Sequence, residues 1–357
     1  MADDVFVTSA PAWVDALESD GSGAVVQLSS VRIRRNIEGF SFPSKCSKSE
    51  LYDLAAIALG ALGRSSEWVD CDFRMMDSLD DVSRYLLLEM KMITPRFVQG
   101  GAGRFLLRDS AGRTTCMINE DDHISISVTN PGFDLVPALD AAEGMERSLN
   151  INLVRDAVLG YLTSNPAYVG TGVTATVMFH LPALDATDDI SRVTDSFKRD
   201  WNNLELGKLQ SYDNESCGSF YVLSNKITLS VTPEEITRNV YQAAQALVSR
   251  EMFARQKLRN MKERELNDRF WRSWGLLRHA KKLSFSEAVD AFSFVKLGAD
   301  IGVLPRIDDR EWRRLVIGAQ RYHLSLGNPF IMERDDEPFA RAAIFRQYIE
   351  NLSSSVH

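Results

Sequence analysis

Cysteine is scarce in these 357 residues: there are four, at positions 46, 71, 116 and 217, and no Cys-x-x-Cys spacing among them. That argues against a disulfide framework or a zinc site and fits buried free thiols in a reducing compartment. Histidine is as thin, five residues dispersed along the chain, and His180, in an apolar stretch, reads as a satisfied core residue rather than a ligand. Internal repeats, low-complexity segments and apolar runs of membrane-spanning length are lacking, which argues against a solenoid and a membrane protein. The opening MADDVFVTSAPAWV is acidic and has no apolar region of signal-peptide length, so the expected location is cytoplasmic. Positive charge is in deficit, 41 Lys and Arg against 49 Asp and Glu, for a formal net charge of −8. The expected partners therefore include neither nucleic acid nor membrane, and any phosphate binding falls to a local basic pocket.

What is present is an ordinary globular composition, 45% hydrophobic and 25% charged, at a length that suggests two domains. Residues 1–20 read as a flexible tail ended by Gly21–Gly23. A short strand follows from Ala24, and Ser47-Lys-Ser-Glu50 is a capping box opening a helix that ends near Gly60–Gly63. Phe105–Arg108 and Thr114–Asn119 read as strands joined by Asp109-Ser-Ala-Gly112, with another strand over His123–Val128. A helical pattern covers about 140–161, Val173–Leu181 reads as a strand closed by Pro182, and the last strands fall in 219–231. Thr232-Pro-Glu-Glu235 then starts a long helix through about Gln256. Beyond it only helical patterns occur: Leu266, Phe270, Trp274 and Leu277 at 3–4 spacing, and capping boxes at Ser284–Glu287 and Asp308–Glu311. The fold class is α+β followed by all-α. The expected domains are 21–252, an antiparallel sheet flanked by helices, and 253–357, helical.

Four groups could carry chemistry. Asn119-Glu120-Asp121-Asp122-His123 either places carboxylates at a sheet edge for general-base work or is an acidic turn. In Arg32-Ile-Arg34-Arg35, strand alternation puts Arg32 and Arg34 on one face and Arg35 on the other, either a phosphate clamp or a solvated basic strand. Asn165-Pro-Ala-Tyr-Val-Gly-Thr-Gly172 has glycines that let backbone N–H groups approach an anion, without the Lys of a P-loop. The run 255–282 mixes Arg and Lys with Glu263, Glu265 and Asp268, which reads as a salt-bridged helix face.

In order along the chain, Ser29-Ser-Val-Arg-Ile-Arg-Arg-Asn-Ile-Glu-Gly-Phe-Ser-Phe-Pro43, Met117–Ile124, Gly160–Pro166 with Gly170-Thr-Gly172, and Tyr221–Asn225 resemble the ATP:guanidino phosphotransferase (phosphagen kinase) superfamily. Asp268–Arg278 and Phe294–Leu304 resemble the C-terminal domain of its bacterial protein-arginine kinase branch, McsB. The resemblance spans roughly residues 22–352. It implies a catalytic domain that passes the γ-phosphoryl of MgATP to a protein arginine, and a helical domain that dimerises and binds phosphoarginine. It also implies, as partners, a zinc-containing activator protein and the Clp protease machinery. Such transfer depends on cations around the phosphates and on carboxylates holding the guanidinium.

Position by position, the resemblance assigns nucleotide binding to Ser29 and Arg32, with Lys208 adjacent. Ser30, Ser125, Thr174 and Gly207 stand where the family has phosphate arginines, and Lys91 where it has a histidine. Asp121, with Glu120, stands at the catalytic carboxylate. Asn165 and Tyr168 replace a cysteine and an asparagine, and Tyr212 replaces the second carboxylate. The phosphoarginine motif survives as Arg334, Asp335 and Arg341, with three extra residues between the arginines. One missing cation costs about 10³–10⁵ in rate and one acid or base about 10²–10⁴. The expectation is a pseudokinase-like binding protein. The alternative is an active, MgATP-dependent kinase whose site is rebuilt by Lys91, Lys208, Arg104 or Glu215 with help from a partner.

Overall fold

In a computed structural model the described residues are 4–16, 25–211, 213–260, 264–327 and 336–354. Among them eight strands form one antiparallel sheet in the order β2-β3-β4-β5-β1-β8-β10-β9. These are β1 (Val26–Arg35), β2 (Cys71–Met75), β3 (Phe105–Asp109), β4 (Thr114–Ile118) and β5 (Ile124–Pro131), then β8 (Val173–His180), β9 (Leu204–Gln210) and β10 (Ser216–Asn225). A separate two-stranded hairpin joins β6 (Arg155–Asp156) to β7 (Gly160–Tyr161). The helices are α1 (Val5–Thr8), α2 (Ala12–Asp15), α3 (Lys48–Leu62), α4 (Asp81–Glu89), α5 (Leu135–Ser148), α6 (Pro182–Ala186), α7 (Ile190–Asp200) and α8 (Pro233–Asn260). After them come α9 (Arg264–His279), α10 (Phe285–Asp300), α11 (Asp309–Gly318), α12 (Arg321–Gly327) and α13 (Glu337–Ser354).

Local chemistry sets several boundaries. Ser47 and Glu50 complete the capping box that opens α3, and Thr232 Oγ1 and the Glu235 carboxylate exchange the same pair of bonds at the start of α8. Gly112, at φ +63°, closes the β3–β4 turn in a conformation that favours glycine.

The central strands make the sheet two-faced. Register pairs Val31 with Val128 and Ala175, and Ile33 with Ile126 and Val173; these side chains are buried on the side where α5 and α8 pack. Alternation sends Arg32, Arg34, Ser125, Ser127, Thr174 and Thr176 to the other face.

Several elements differ from expectation: the last strands, expected over 219–231, are β9 at Leu204–Gln210 and β10 at Ser216–Asn225. The pattern over 140–161 yields a helix only to Ser148; the rest turns back as the β6–β7 hairpin, where Asp156 Oδ1 accepts the Val158 and Leu159 N–H groups at 2.8 Å each. Residues 4–16 are not loose: Phe6, Val7, Trp13 and Val14 are buried in the core. Finally, α8 crosses 252–253 as a helix through about Gln256 requires and extends four residues further, to Asn260, with Glu251, Ala254, Arg255 and Leu258 buried in its far half.

Candidate functional site

The polar face of the sheet holds a cavity of about 220 Å³ walled by Ser30, Arg32 and Arg34 of β1, Thr174 and Thr176 of β8, and Lys91 after α4. Strand alternation thus brings Arg32 and Arg34 together there. Arg32 Nε donates to Ser127 Oγ at 2.8 Å and Arg34 Nη1 to Thr174 Oγ1 at 2.8 Å. The Tyr168 ring covers the Arg34 guanidinium at 3.8 Å. Burial, and then the neighbouring Arg32 charge, pull Arg34 down to about 10.

Arg35, on the opposite face, forms a two-pronged ion pair with Glu146 of α5 at 2.6 and 2.9 Å. Ser29 shares that face: its Oγ accepts the Asp134 N–H at 2.8 Å, so it caps a helix and does not reach the cavity. Lys208 also points away. It pairs with Tyr221, whose hydroxyl donates to Asp185 of α6 at 2.7 Å, whereas the next residue, Leu209, is the one that lines the cavity. Gly207 is exposed on β9.

The acidic turn between β4 and β5 sits at one end of this face, and each member has a partner. Glu120 accepts the Thr94 hydroxyl, and Asp121 meets Arg96 at 2.5 Å. Asp122 Oδ1 accepts Asn36 Nδ2 and the Ser164 N–H, both at 2.7 Å. His123 Nδ1 accepts the Ile37 N–H and its Nε2 faces the Ser41 carbonyl, each at 2.9 Å. That pair of bonds selects the neutral Nε2–H ring, in keeping with burial, which lowers its pKa despite the Ser41 bond. Arg104, a candidate for rebuilding, is spent on the carbonyls of Asn119, Arg96 and Gly100. The partners Thr94 and Arg96, on the loop after α4, carry no sequence signal because nothing in their spacing ties them to this turn.

The glycine loop does not form an anion nest. Gly170 N–H donates to Tyr161 O, Thr171 N–H to Thr228 O and Gly172 N–H to Tyr168 O, at 3.0–3.1 Å. Glycine is required for close packing instead: a Cβ at Gly172, φ +66°, would lie 2.6 Å from Arg35 Nη1. Asn165 Oδ1 accepts the Ala167 N–H at 3.0 Å, a turn cap rather than a guanidinium contact.

In the helical region Arg341 is buried, its Nε on Ala319 O at 2.7 Å and its Nη1 on Leu283 O at 3.1 Å. It shares a cavity of about 160 Å³ with Arg321, Glu337, Asp213 and Glu215. Arg334, Asp335 and Tyr212 lie outside the described residues. In the basic run, Arg272 pairs with Asp268 on the surface, but Arg255 is buried between Glu251 and Asp300. Among the described residues no three His, Cys, Asp or Glu side chains gather where they could hold a metal ion, and no helix is long and apolar enough to cross a membrane.

Residues 56–254 match the family described as ATP:guanido phosphotransferase, C-terminal catalytic domain, and residues 263–357 match the protein-arginine kinase McsB C-terminal domain. The chain is 31% identical over 352 residues to a protein-arginine kinase of Geobacillus kaustophilus, covering 97% of this chain and 95% of that one. It is 31% identical over 302 residues to one of Halothermothrix orenii, covering 84% and 86%. Its fold is similar to that of a lombricine kinase, with a TM-score of 0.53, 17% identity, and 68% of this chain and 71% of that chain covered. A duplicated taurocyamine kinase of Schistosoma mansoni gives 0.54 at 20% identity, covering 68% and 35%.

Proposed function

The chain belongs to the ATP:guanido phosphotransferase family, and from that premise we propose that it is a protein-arginine-kinase homologue whose phosphoryl transfer is lost or strongly reduced and which works as a regulatory binding protein. What carries this reading is one observation. Ser30, Ser125 and Thr174, at positions where the resemblance implies phosphate arginines, put hydroxyls on the face shared with Arg32 and Arg34. Hydroxyls donate hydrogen bonds but bring no positive charge to a transferring phosphoryl group, where cations supply most of the rate.

The donor set is a poor fit to MgATP. A triphosphate meets two guanidiniums and, at the rim, the Lys91 ammonium, while Asp121 is tied to Arg96 rather than presented to a guanidinium. The competing reading, an active kinase completed by an activator, draws on Arg34 and Lys91, which add cations to the same cavity. Under either reading a cytoplasmic homodimer, working with a zinc-containing activator and the Clp protease machinery, is the assembly the family suggests.

The test is a transfer assay with MgATP and an arginine-rich acceptor protein, with and without the activator, read as phosphate on arginine by mass spectrometry at neutral pH. No phosphoarginine in either condition is the expected result. Transfer that disappears in Asp121→Ala would overturn it.

A further inference from the structure

We propose that the groove between α7 and α8 is a docking surface for a short acidic segment of a partner protein, one that carries an apolar anchor. The groove shares no lining residue with the sheet cavity, so the inference goes beyond the reading above and stands on its own observations.

The groove encloses about 750 Å³, in the roughly 300–1,000 Å³ range of pockets that take a ligand. Helical period builds it. Arg192 and Arg199 of α7 are seven residues apart, as are Arg250 and Lys257 of α8, so each pair stands on one side of its helix, two turns and about 10 Å apart. All four line the groove and all four are exposed. Arg250 Nη1 donates to Ser196 Oγ of α7 at 2.8 Å, tying the two walls together. The same walls carry apolar groups: Leu184, Val193 and Ala254 are buried there, whereas Phe253 is 71% exposed.

Against the four cations the groove sets two carboxylates, Asp189 and Asp195. Asp189 is engaged by Arg192 at 3.4 Å, and among the described residues no ion pair joins Arg199, Arg250 or Lys257 to a carboxylate. Three cations therefore face Asp195 alone. This local surplus sits on a chain whose formal net charge is −8, so it reverses the field of the molecule as a whole, and charge complementarity calls for an anionic occupant.

The phenyl ring narrows the class. Apolar area left in water at Phe253 is recovered by an occupant that lays an apolar side chain on it, and an aromatic anchor ringed by charged groups is the usual make-up of a binding hot spot. A nucleic-acid strand would carry unbroken negative charge past both carboxylates, on a molecule that repels it overall. A membrane surface is too flat to enter a groove between two helices. A peptide that alternates carboxylates with a large apolar side chain meets the cationic stripes and the ring together.

The experiment selects a displayed library of random peptides on the full chain, then measures the enriched peptides, made synthetically with a fluorophore, by anisotropy at fixed ionic strength. A single-stranded oligonucleotide and phosphatidylserine vesicles are titrated beside them. The enriched peptides are expected to be acidic, to contain an aromatic or branched apolar residue, and to bind more weakly as salt rises. Phe253→Ala is expected to weaken binding about tenfold, and Arg199→Glu with Lys257→Glu about ten- to hundredfold. All three residues are exposed, so these variants are expected to keep the wild-type urea midpoint, which is measured alongside. Arg64→Glu, at an exposed arginine just after α3, is expected to leave binding unchanged.

Enrichment of no peptide, enrichment of neutral or basic ones, binding untouched by Phe253→Ala and by the double charge reversal, or tighter binding of the oligonucleotide or the vesicles through the same residues overturns the proposal. None of these readouts involves phosphoryl transfer, so phosphoarginine in the transfer assay would overturn the proposed loss of activity and leave the docking result standing.

Discussion

Arg35 lies flat against Glu146, Nε to Oε1 at 2.6 Å and Nη2 to Oε2 at 2.9 Å, with side-chain exposures of 4% and 10%. Its remaining Nη1 donates to Arg34 O and Thr171 O at 2.7 and 2.8 Å, so one guanidinium joins β1, α5 and the loop leading into β8. Removing one partner leaves a buried charge uncompensated, which costs about 3–5 kcal/mol, whereas replacing both with apolar groups of similar volume is far milder. Glu146→Gln is therefore expected to destabilise the fold by that amount in urea titration, and Arg35→Met with Glu146→Leu to recover much of it.

The N-terminal segment makes a second prediction. Arg313 of α11 donates to Val14 O at 3.1 Å and to Ala16 O, and Arg314 Nε meets Asp15 Oδ1 at 2.6 Å. Trp13, 5% exposed, sends its indole N–H to Met90 O at 3.4 Å. Residues 4–16 thus strap the sheet region to α11. Trp13→Ala is expected to cost about 3–5 kcal/mol by large-to-small truncation. Asp15→Asn, at a partly exposed pair that salt screens, is expected to cost no more than about 1 kcal/mol. Thermal unfolding at two ionic strengths separates the two.

These two sites mark what the sequence alone conveys. Capping boxes at Ser47 and Thr232, the turn at Gly112 and the Ile-Ser-Ile-Ser alternation of β5 are local signals, and each forms as read because the atoms that make it lie within a few residues. The split of Arg32 and Arg34 from Arg35 followed from strand period alone. What stayed hidden depends on contacts far apart in the chain: Arg313 with Val14, Arg34 with Thr174, Asp121 with Arg96. The helix expected over 140–161 fails past Ser148 because Asp156 bonds its own backbone two and three residues on, an alternative that apolar spacing does not register. Ser29 shows the limit of position-by-position resemblance, since alternation turns it toward α5 while its neighbour Ser30 faces the cavity.

His180 supplies a pH prediction. It is fully buried beside Trp312 and Phe220, at ring distances of 4.6 and 5.3 Å, and neither ring nitrogen has a hydrogen-bond partner, so it is a core residue but not a satisfied one. Burial, with the Arg255 and Lys296 charges behind it, holds its pKa well below the ordinary value. A histidine with a depressed native pKa binds its proton more readily when unfolded, so stability is full above the unfolded value of about 6.5 and falls as pH drops below it. The expected slope is up to about 1.4 kcal/mol per pH unit from this group, with His123, also depressed, adding to it. Urea midpoints measured from neutral pH down to about 5 should show the decline, and His180→Phe should flatten it.

The last prediction concerns how the two regions unfold. Glu251, fully buried on the far half of α8, accepts the Ala183 and Leu184 N–H groups at 3.0 Å each, capping α6, and holds Arg255 Nε at 2.8 Å. Arg255 passes the contact to Asp300 at 2.9 Å, and Lys296 joins Asp300 to Asp309 of α11. A helix that begins beside the sheet therefore ends inside a charged ladder that the helical region completes. Because α8 is continuous and the ladder is buried, neither region can lose its packing without exposing charges of the other. The whole chain is expected to melt in one calorimetric transition whose van't Hoff and calorimetric enthalpies agree. Glu251→Ala removes the α6 cap and one partner of Arg255 together, an expected loss of about 3–5 kcal/mol. With the ladder's first rung gone, the helical region is released early and the single transition should split into two.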